Sequence, residues 1–182
     1  MVRPTLRRRD VKRQCLFYKT HPHSLFAQAE FTTWIDSNIE CLSSAGSVLS
    51  THENLSEIAT FAHPDRSCIY TEAEEIERQA LDHKDIVQAV VKRLKADGVP
   101  EKGGLYETNV LFSRAQDMLV REFMQTWWRL IALGSRRDQL SFTHAAHLTG
   151  LDIGLLDGRD SAKTSRHFIK RPHVSRKNRF VA

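Results

Sequence analysis

The stretch that decides the fold spans residues 31–39 and has the sequence Phe31-Thr32-Thr33-Trp34-Ile35-Asp36-Ser37-Asn38-Ile39. Its β-branched and aromatic residues 32–35 predict a short strand. The strand runs directly into Asp36 and Asn38, so both side chains reach one loop at the carboxyl edge of a sheet, where α/β proteins bind ligands. Hard cations such as Mg²⁺ prefer these oxygen ligands together with substrate phosphates. The pair therefore predicts a metal–diphosphate anchor, although it is also typical of an ordinary turn or helix cap.

Length and composition indicate one globular domain. The chain has 182 residues, 41% of them hydrophobic, which is enough to bury a core. No stretch is long and apolar enough to predict a membrane span, and the basic N-terminus is not followed by the apolar run of a secretory signal. Three widely spaced cysteines show no metal-type spacing. Reduced thiols and a cytoplasmic location are expected, with a membrane-peripheral location as the alternative.

Positive charge is concentrated at the two ends of the chain. Residues 1–19 carry a net charge of +6 and residues 159–182 a net charge of +7, against +5 for the whole chain. Basic ends of this kind favour binding to acidic glycans or to an anionic membrane surface. They are equally typical of tails that are simply solvated. Nucleic acid is an unlikely partner, because no recognised binding module is present. We expect a basic segment 1–20, a folded domain 21–150 and a basic tail 151–182.

Hydrophobic periodicity predicts a mixed α/β fold with few strands and much helix. Helices are expected over residues 7–18, 53–61, 71–94, 115–133 and 136–148, and a second strand over residues 105–112. A Thr71-x-x-Glu74 capping box predicts the start of the third helix, and Asp82-His83 should interrupt it. Gly134 and Gly150 predict helix ends. Residues 40–50 are expected to form a loop, and residues 150–182 show little pattern.

Two polar segments are candidates for ligand binding. In His63-Pro64-Asp65-Arg66, just before a helix, Arg66 is suited to clamping a phosphate or carboxylate, but spacing alone favours a structural pair with a surface glutamate. Glu107 and Asn109 follow a glycine pair and share one face of the second strand by its period of two. Glu107 is suited to orienting a sugar hydroxyl, or it is an edge-strand residue facing solvent.

A third segment opens the last predicted helix. Asp138 and Gln139 lie in its first turn, where a carboxylate is stabilised by the helix dipole, so they are ligand-binding groups or a simple cap. Trp127 and Trp128 are predicted to lie in the core of the domain, with one of their rings lining a pocket. The histidine pairs 144/147 and 21/23 lack companion ligands, so metal binding by them is not expected. His167, His173 and Lys170 are placed to reach a diphosphate.

Taken together, these segments resemble the glycosyltransferase-like family of plant mucilage-related proteins and their bacterial relatives. Four blocks occur in the family's order, namely residues 34–39, 61–73, 104–110, and Trp127-Trp128 followed by residues 137–142. The Lys19-x-x-Pro22-His23-x-x-Phe26 segment is similar to the approach to the first block. The resemblance covers roughly residues 15–145.

The resemblance implies a partial GT-A-like fold, that of nucleotide-diphospho-sugar transferases, with a small mixed sheet and several helices. It implies that Asp36 and Asn38 hold Mn²⁺ or Mg²⁺ on the donor diphosphate. The catalytic residues would be Asp138, Gln139 and Glu107. The substrate-binding residues would be His63, Arg66, Asn109, Trp128 and Arg137.

The function that the resemblance implies is metal-dependent transfer of a sugar from a nucleotide-sugar donor to a glycan or other hydroxyl acceptor. The alternatives are a non-catalytic module that binds a glycan or nucleotide sugar, and, last, a basic nucleic-acid-binding protein. Family members usually carry a further stretch before the Asp-x-Asn strand, with the first sheet strands and part of the nucleotide pocket. Only residues 1–31 precede the strand here, so the resemblance implies the C-terminal portion of such a domain.

Overall fold

The computed structural model describes residues 10–50, 56–156 and 165–172. The helices in these ranges are α1 (Val11–Thr20), α2 (Pro22–Leu25), α3 (Ala45–Ser50), α4 (Ile69–Arg78), α5 (Lys84–Ala96), α6 (Met118–Leu133) and α7 (Asp138–Thr149). The strands are β1 (Thr32–Ile35), β2 (Ile39–Cys41), β3 (Ile58–Ala62), β4 (Tyr106–Ser113), β5 (Gly154–Leu155) and β6 (Phe168–Lys170). None of these helices has the length and apolar character needed to cross a bilayer.

The strands form two small sheets. The larger one has the order β1-β4-β3-β5, with β1 and β3 antiparallel to β4 and β5 parallel to β3. The smaller one is the antiparallel pair β2–β6. This mixed sheet, surrounded by helices, confirms the predicted fold class. The predicted strands at residues 32–35 and 105–112 are also confirmed, and they pair directly with each other.

An irregularity in the β3–β4 ladder alters the side-chain alternation of β4. Thr60 pairs with Leu111, whereas the next residue, Phe61, pairs with Glu107, so residues 108–110 bulge out of the ladder. The buried hydroxyl of Thr60 donates to the main-chain carbonyls of Glu107 and Val110 and closes the bulge. Bulges re-aim side chains. A strict period of two therefore does not hold at this point of the strand.

The main core lies between α6, α7 and the sheet. Phe123, Trp127 and Phe142 are fully buried, and the Trp127 and Phe142 rings meet edge to face at a centroid distance of 4.9 Å. The two helices confirm the predicted periodicity over residues 115–133 and 136–148. Their predicted glycine ends are also confirmed, since Gly134 and Gly150 are the C-terminal caps. Gly150 has a positive φ of 68°, which a residue with a side chain adopts only with strain.

Two predictions of local structure are wrong. The helix expected over residues 53–61 is replaced by β3 in its described part, while residues 53–55 lie outside the described ranges. β3 is buried on both faces between two neighbouring strands, so it lacks the alternation that marks a half-exposed strand. The loop expected over residues 40–50 contains β2 and α3 instead.

The long helix expected over residues 71–94 is divided. Its interruption near Asp82-His83 is confirmed, because α4 ends at Arg78 and α5 begins at Lys84. The capping box is wrong: α4 already begins at Ile69, and the Thr71 hydroxyl donates to the main-chain carbonyl of Cys68 rather than accepting a bond as a cap. The Thr-x-x-Glu spacing is the same whether the threonine hydroxyl donates to a preceding carbonyl or accepts a main-chain N–H as a cap, so the spacing alone does not distinguish the two.

Parts of the two basic ends belong to the folded domain. Leu16 of α1 is buried in the main core, and the Arg13 guanidinium donates to the main-chain carbonyls of Ile131 and Gly134. Near the other end, Phe168 packs against Phe61 at a centroid distance of 5.9 Å. The fold therefore extends beyond the expected range 21–150 on both sides. His173 and the tail residues 1–9 and 173–182 lie outside the described residues.

Candidate functional site

One cleft brings together side chains from distant parts of the chain. It has a volume of about 640 Å³, and its walls are α1, the turn after β1, residues 63–66, the start of α4, the first half of β4 and the start of α7. Nine of the ten residues singled out from the sequence line it: Asp36, Asn38, His63, Arg66, Glu107, Asn109, Arg137, Asp138 and Gln139. The structure thus places them at a common surface, and their individual roles remain predictions.

Trp128 is the exception. Its half-buried ring meets Phe17 and His21 edge-on, at centroid distances of 5.2 and 5.8 Å, on the side of α6 that faces α1. It does not line the cleft. The adjacent Trp127 is turned by about 100° around the helix and lies in the core, where its indole donates to the Asp138 carbonyl. The structure therefore does not support the predicted contact of Trp128 with substrate.

A buried ion pair occupies the centre of the cleft. Lys19 Nζ donates to Asp138 Oδ2 at 2.7 Å, and the Thr108 hydroxyl donates to the same oxygen at 2.8 Å. The Lys19 side chain is only 2% exposed. Burial raises the pKa of Asp138, but the charge of Lys19 and the hydrogen bonds from Lys19 and Thr108 outweigh it and hold that pKa below its ordinary value. Asp138 is therefore an ionised carboxylate at neutral pH.

The same lysine reaches the residue predicted to bind metal. Lys19 Nζ lies 3.8 Å from Asp36 Oδ1, which accepts the indole N–H of Trp34 at 2.7 Å. The ammonium also lies over the rings of Trp34 and Trp127, at 5.8 and 5.6 Å from their centroids. Lys19 thus links the carboxylates of Asp36 and Asp138.

The oxygen atoms of Asp36 and Asn38 fit a metal that arrives with a phosphate. The Asp36 side chain is 40% exposed, and the Asn38 amide nitrogen donates to the Arg171 carbonyl at 3.3 Å, leaving the amide oxygen as the ligand atom. No cluster of three His, Cys, Asp or Glu side chains able to hold a metal occurs in the described part of the chain. Mg²⁺ and Mn²⁺ commonly use one or two protein oxygens and complete their shell with water and substrate phosphate.

A second ion pair lies on the wall formed by residues 63–66 and α4. Arg66 Nε donates to Glu72 Oε2 at 2.6 Å, and the Glu72 side chain is 3% exposed. This is the structural arginine–glutamate pair that the spacing favoured, but it lies inside the cleft rather than on the open surface. Arg66 has further guanidinium N–H groups, with which it is able to contact a ligand.

His63 supports this second pair. Its Nδ1 accepts the main-chain N–H groups of Asp65 and Arg66 at 3.2 and 3.1 Å, which assigns the ring proton to Nε2. That nitrogen lies 3.9 Å from Glu72 Oε2. Burial lowers the pKa of His63, although the Glu72 charge acts in the opposite direction. The imidazole is therefore neutral at pH 7 and presents an N–H toward Glu72.

Two buried polar atoms in the cleft have no hydrogen-bond partner in the described ranges. They are Asn109 Oδ1 and Arg137 Nε. Buried polar atoms in folded proteins are nearly always paired, so these two atoms mark the part of the cleft wall whose hydrogen bonding the described residues leave incomplete. Nearby, Glu107 is buried, and its Oε1 lies 3.7 Å from Lys170 Nζ. Gln139 donates weakly to the Tyr106 carbonyl at 3.4 Å.

Sequence reasoning missed three important side chains of the cleft. Lys19 occurs in a segment that supported the family resemblance, but nothing in its spacing marks it as buried or central. Thr108 was missed because strict alternation placed it on the face opposite Glu107, whereas the bulge brings it to Asp138. Lys12 lies in the basic N-terminal segment and carries no local signal. Lys170, expected near a diphosphate, does line the cleft.

Three of the other histidines singled out from the sequence have structural partners, whereas His23 Nδ1 is buried without one in the described ranges. His144 Nε2 and Asp97 Oδ2 are 2.7 Å apart, and His147 Nε2 is 3.0 Å from the Asp97 carbonyl. His167 Nδ1 lies 3.0 Å from the Ser43 hydroxyl. These contacts join elements of the fold, as expected for His144 and His147, whereas His167 does not line the cleft and its predicted contact with a diphosphate is not supported.

Comparison with known protein families agrees with the site. The model of a family described as TOD1/MUCI70, glycosyltransferase-like domain, matches residues 4–152, a range that contains all nine predicted residues in the cleft. The match covers most of the chain, so the chain belongs to the TOD1/MUCI70 glycosyltransferase-like family. Searches of curated proteins and of solved structures found no match. The family description supports a role in glycosyl transfer and leaves the donor, acceptor and metal open.

Proposed function

We propose that the cleft catalyses transfer of a sugar from a nucleotide-sugar donor to a hydroxyl of a glycan or similar acceptor. The observation that carries the proposal is the convergence of residues from separate family blocks on one cleft. Carboxylates, amides and cations lie there together, and these are the groups that bind sugar hydroxyls and phosphates. The family membership supports glycosyl transfer in general, and the finer assignments below are part of the proposal.

Asp36 and Asn38 are the proposed ligands of Mn²⁺ or Mg²⁺. Such a cation, bound with the donor, would neutralise charge on the leaving diphosphate. Lys19 limits how strongly Asp36 attracts a cation, since its ammonium already lies 3.8 Å from the Asp36 carboxylate. The metal is therefore expected to bind more tightly when the diphosphate is present, because the phosphate oxygens complete the shell and offset the charge of Lys19.

Asp138 is proposed to orient the acceptor hydroxyl. Its lowered pKa makes it a weak general base but a good hydrogen-bond acceptor. Glu107 is a second carboxylate in the cleft and the proposed proton acceptor, with Lys170 beside it. Gln139 is proposed to fix the sugar near these two carboxylates. Asn109 Oδ1 offers the unpaired acceptor for a sugar hydroxyl.

A donor panel with Asp36 variants tests this proposal. Purified protein is incubated with UDP- and GDP-sugars and Mn²⁺, and release of the nucleoside diphosphate is measured. Turnover is expected for the native chain and should be abolished in Asp36→Ala. Asp85→Asn is the matched control, because Asp85 is an exposed carboxylate on α5 outside the cleft. An Asp36→Ala protein with native turnover would remove the assigned role of Asp36.

The same panel distinguishes the alternative functions. A folded protein that binds nucleotide sugars or glycans without turnover would be a non-catalytic binding module. Salt-dependent binding to DNA, with neither sugar binding nor turnover, would instead favour the nucleic-acid-binding function. Either result contradicts the enzymatic proposal.

A further inference from the structure

The five cationic side chains of the cleft differ in how they are paired. Three have a carboxylate within 4.0 Å: Lys19 with Asp138, Arg66 with Glu72 and Lys170 with Glu107. The other two, Lys12 and Arg137, have no ion-pair partner among the residues that the structure describes. The cleft therefore holds two open positive charges.

Both open charges belong to residues that line the same cleft. Lys12 is in the first turn of α1, and Arg137 directly precedes α7. Loss of hydration at the wall of the cleft lowers the pKa of Lys12, although the residue as a whole is exposed, and repulsion from Arg137 is the next contribution in the same direction. Asp138 lies next to them, but its Oδ2 is already engaged by Lys19 and Thr108. Arg137 and Arg136 repel the Lys12 ammonium while Asp138 and Asp82 attract it, and an anion bound beside Lys12 and Arg137 would add attraction for both cations.

Arg137 has a further open hydrogen-bonding group. Its Nε is buried and without a partner, whereas its main-chain N–H donates to the Ser135 hydroxyl at 3.0 Å. Guanidinium groups bind phosphate oxygens through a planar set of N–H donors, and no protein group in the described ranges uses the Nε donor of Arg137. A carboxylate satisfies such an edge equally well in principle, but the adjacent ammonium of Lys12 favours a ligand with more negative charge.

We propose that Lys12 and Arg137 form a diphosphate subsite of the cleft, separate from the Asp36–Asn38 pair. The subsite rests on the proposed function only for the identity of the ligand, which would be the diphosphate of the donor or of the released nucleotide. Lys12 and Arg137 neutralise it with side-chain charge and charge-assisted hydrogen bonds. Diphosphate binding is then partly independent of a divalent cation.

Calorimetric titration with pyrophosphate and with UDP tests the subsite. The native chain is expected to bind both in EDTA, with affinity that falls as salt is added. Lys12→Met and Arg137→Gln should each weaken binding about tenfold or more, the loss expected for one charge-assisted contact. Lys92→Met is the matched control, because Lys92 is an exposed lysine outside the cleft on α5, and it should bind as the native chain does.

Stability provides a second readout that needs no ligand. Removing either open charge relieves repulsion, so Lys12→Met should melt at the same or a higher temperature than the native chain. Pyrophosphate should raise the melting temperature of the native chain and not that of the double variant. Lys12 is exposed, so Lys12→Met tests the subsite even if an Arg137 variant fails to fold.

Several results would overturn the subsite. One is pyrophosphate binding that vanishes in EDTA, and another is binding that neither variant weakens. Tighter binding of oligogalacturonate than of UDP, lost in both variants, would assign the same cations to an acidic glycan instead. Pyrophosphate binding without any sugar transfer would uphold the subsite and contradict the proposed function, so the two proposals fail separately.

Discussion

Two ion pairs of the cleft, Lys19–Asp138 and Arg66–Glu72, have similar lengths but differ in which partner is the more buried. In the Lys19–Asp138 pair the cation is the more buried partner, with 2% of its side chain exposed against 17% for Asp138. In the Arg66–Glu72 pair the anion is the more buried partner, with 3% exposed against 28% for Arg66. The first pair shares its cation with Asp36, whereas His63 supports the second.

This difference indicates different functions for the two walls. One wall is formed by residues 63–66 and α4 and carries the Arg66–Glu72 pair. Its polar atoms are mostly hydrogen-bonded within the chain, to His63 and to the main chain around it. The other wall, called the Lys19 wall, carries Lys19 and Asp138. On it, Lys12, Asp36 and Arg137 keep charges or hydrogen-bonding groups that a ligand could use. A ligand with negative charge is therefore expected to bind mainly on the Lys19 wall.

Removing Lys19 should have the largest effect. Lys19→Met leaves the carboxylate of Asp138 mostly buried without its cation, and loss of one partner of a buried pair costs roughly 3–5 kcal/mol. The free energy of unfolding, measured with urea, should fall by about 3 kcal/mol, because Asp138 retains some exposure. A further Asp138→Asn change should recover part of this loss. Lys12→Met, on the same helix, is the control that should not be destabilised. A native-like Lys19→Met protein would contradict the importance of this pair.

Breaking the second pair should cost less. Glu72→Gln leaves Arg66 without its carboxylate, but Arg66 is 28% exposed and water can hydrate its guanidinium. We expect a loss of about 1–2 kcal/mol in urea unfolding, close to that of one charge-assisted hydrogen bond. Glu75→Gln, on the same helix, removes a pair with Arg78, whose side chain is 70% exposed against 19% for Glu75, and should have a smaller effect than Glu72→Gln. If Glu72→Gln were as costly as Lys19→Met, the contrast between the walls would not hold.

The pH dependence of stability should follow Asp138. Because the folded-state pKa of Asp138 lies below its ordinary value of 3.8, the unfolded chain binds the proton more readily than the folded one. The stabilisation from Asp138 is complete above pH 3.8 and is lost as the pH falls through the lower, folded-state pKa. The difference in unfolding free energy between the native chain and Asp138→Asn should therefore shrink on acidification. A difference that stays constant would refute the lowered pKa.

The smallest expected effect is on the titration of His63. The charge of Glu72 raises the pKa of His63 and so opposes the lowering caused by burial. In Glu72→Gln the pKa of His63 should therefore fall further, as followed by the imidazole proton resonances in NMR. The native histidine contributes stability above pH 6.5, which is lost as the pH falls below 6.5 through its lowered pKa. If the pKa of His63 rose in the variant, the charge of Glu72 would not act on the imidazole as described.

Elements with a clear period were predicted well from the sequence. The apolar spacing of α6, the glycines that close α6 and α7, and the β-branched residues of β1 were sufficient. β3 could not be predicted, because a strand buried on both faces has no alternation to distinguish it from a short helix. The bulge at residues 108–110 also had no local signal, since it depends on how Thr60 meets the carbonyls of β4.

By itself, the sequence determined the class of protein and nine of the polar residues that line the cleft, because family blocks and residue chemistry are local properties that survive without coordinates. Only the tertiary structure decided how the charges are paired. Lys19 became the link between Asp36 and Asp138, and Lys12 and Arg137 were left open, because charge pairing depends on short distances between residues that can be far apart in the sequence, as Lys19 and Asp138 are. Those separations are set by the packing of α1 against α6 and by the turn into α7, which no spacing along the chain specifies.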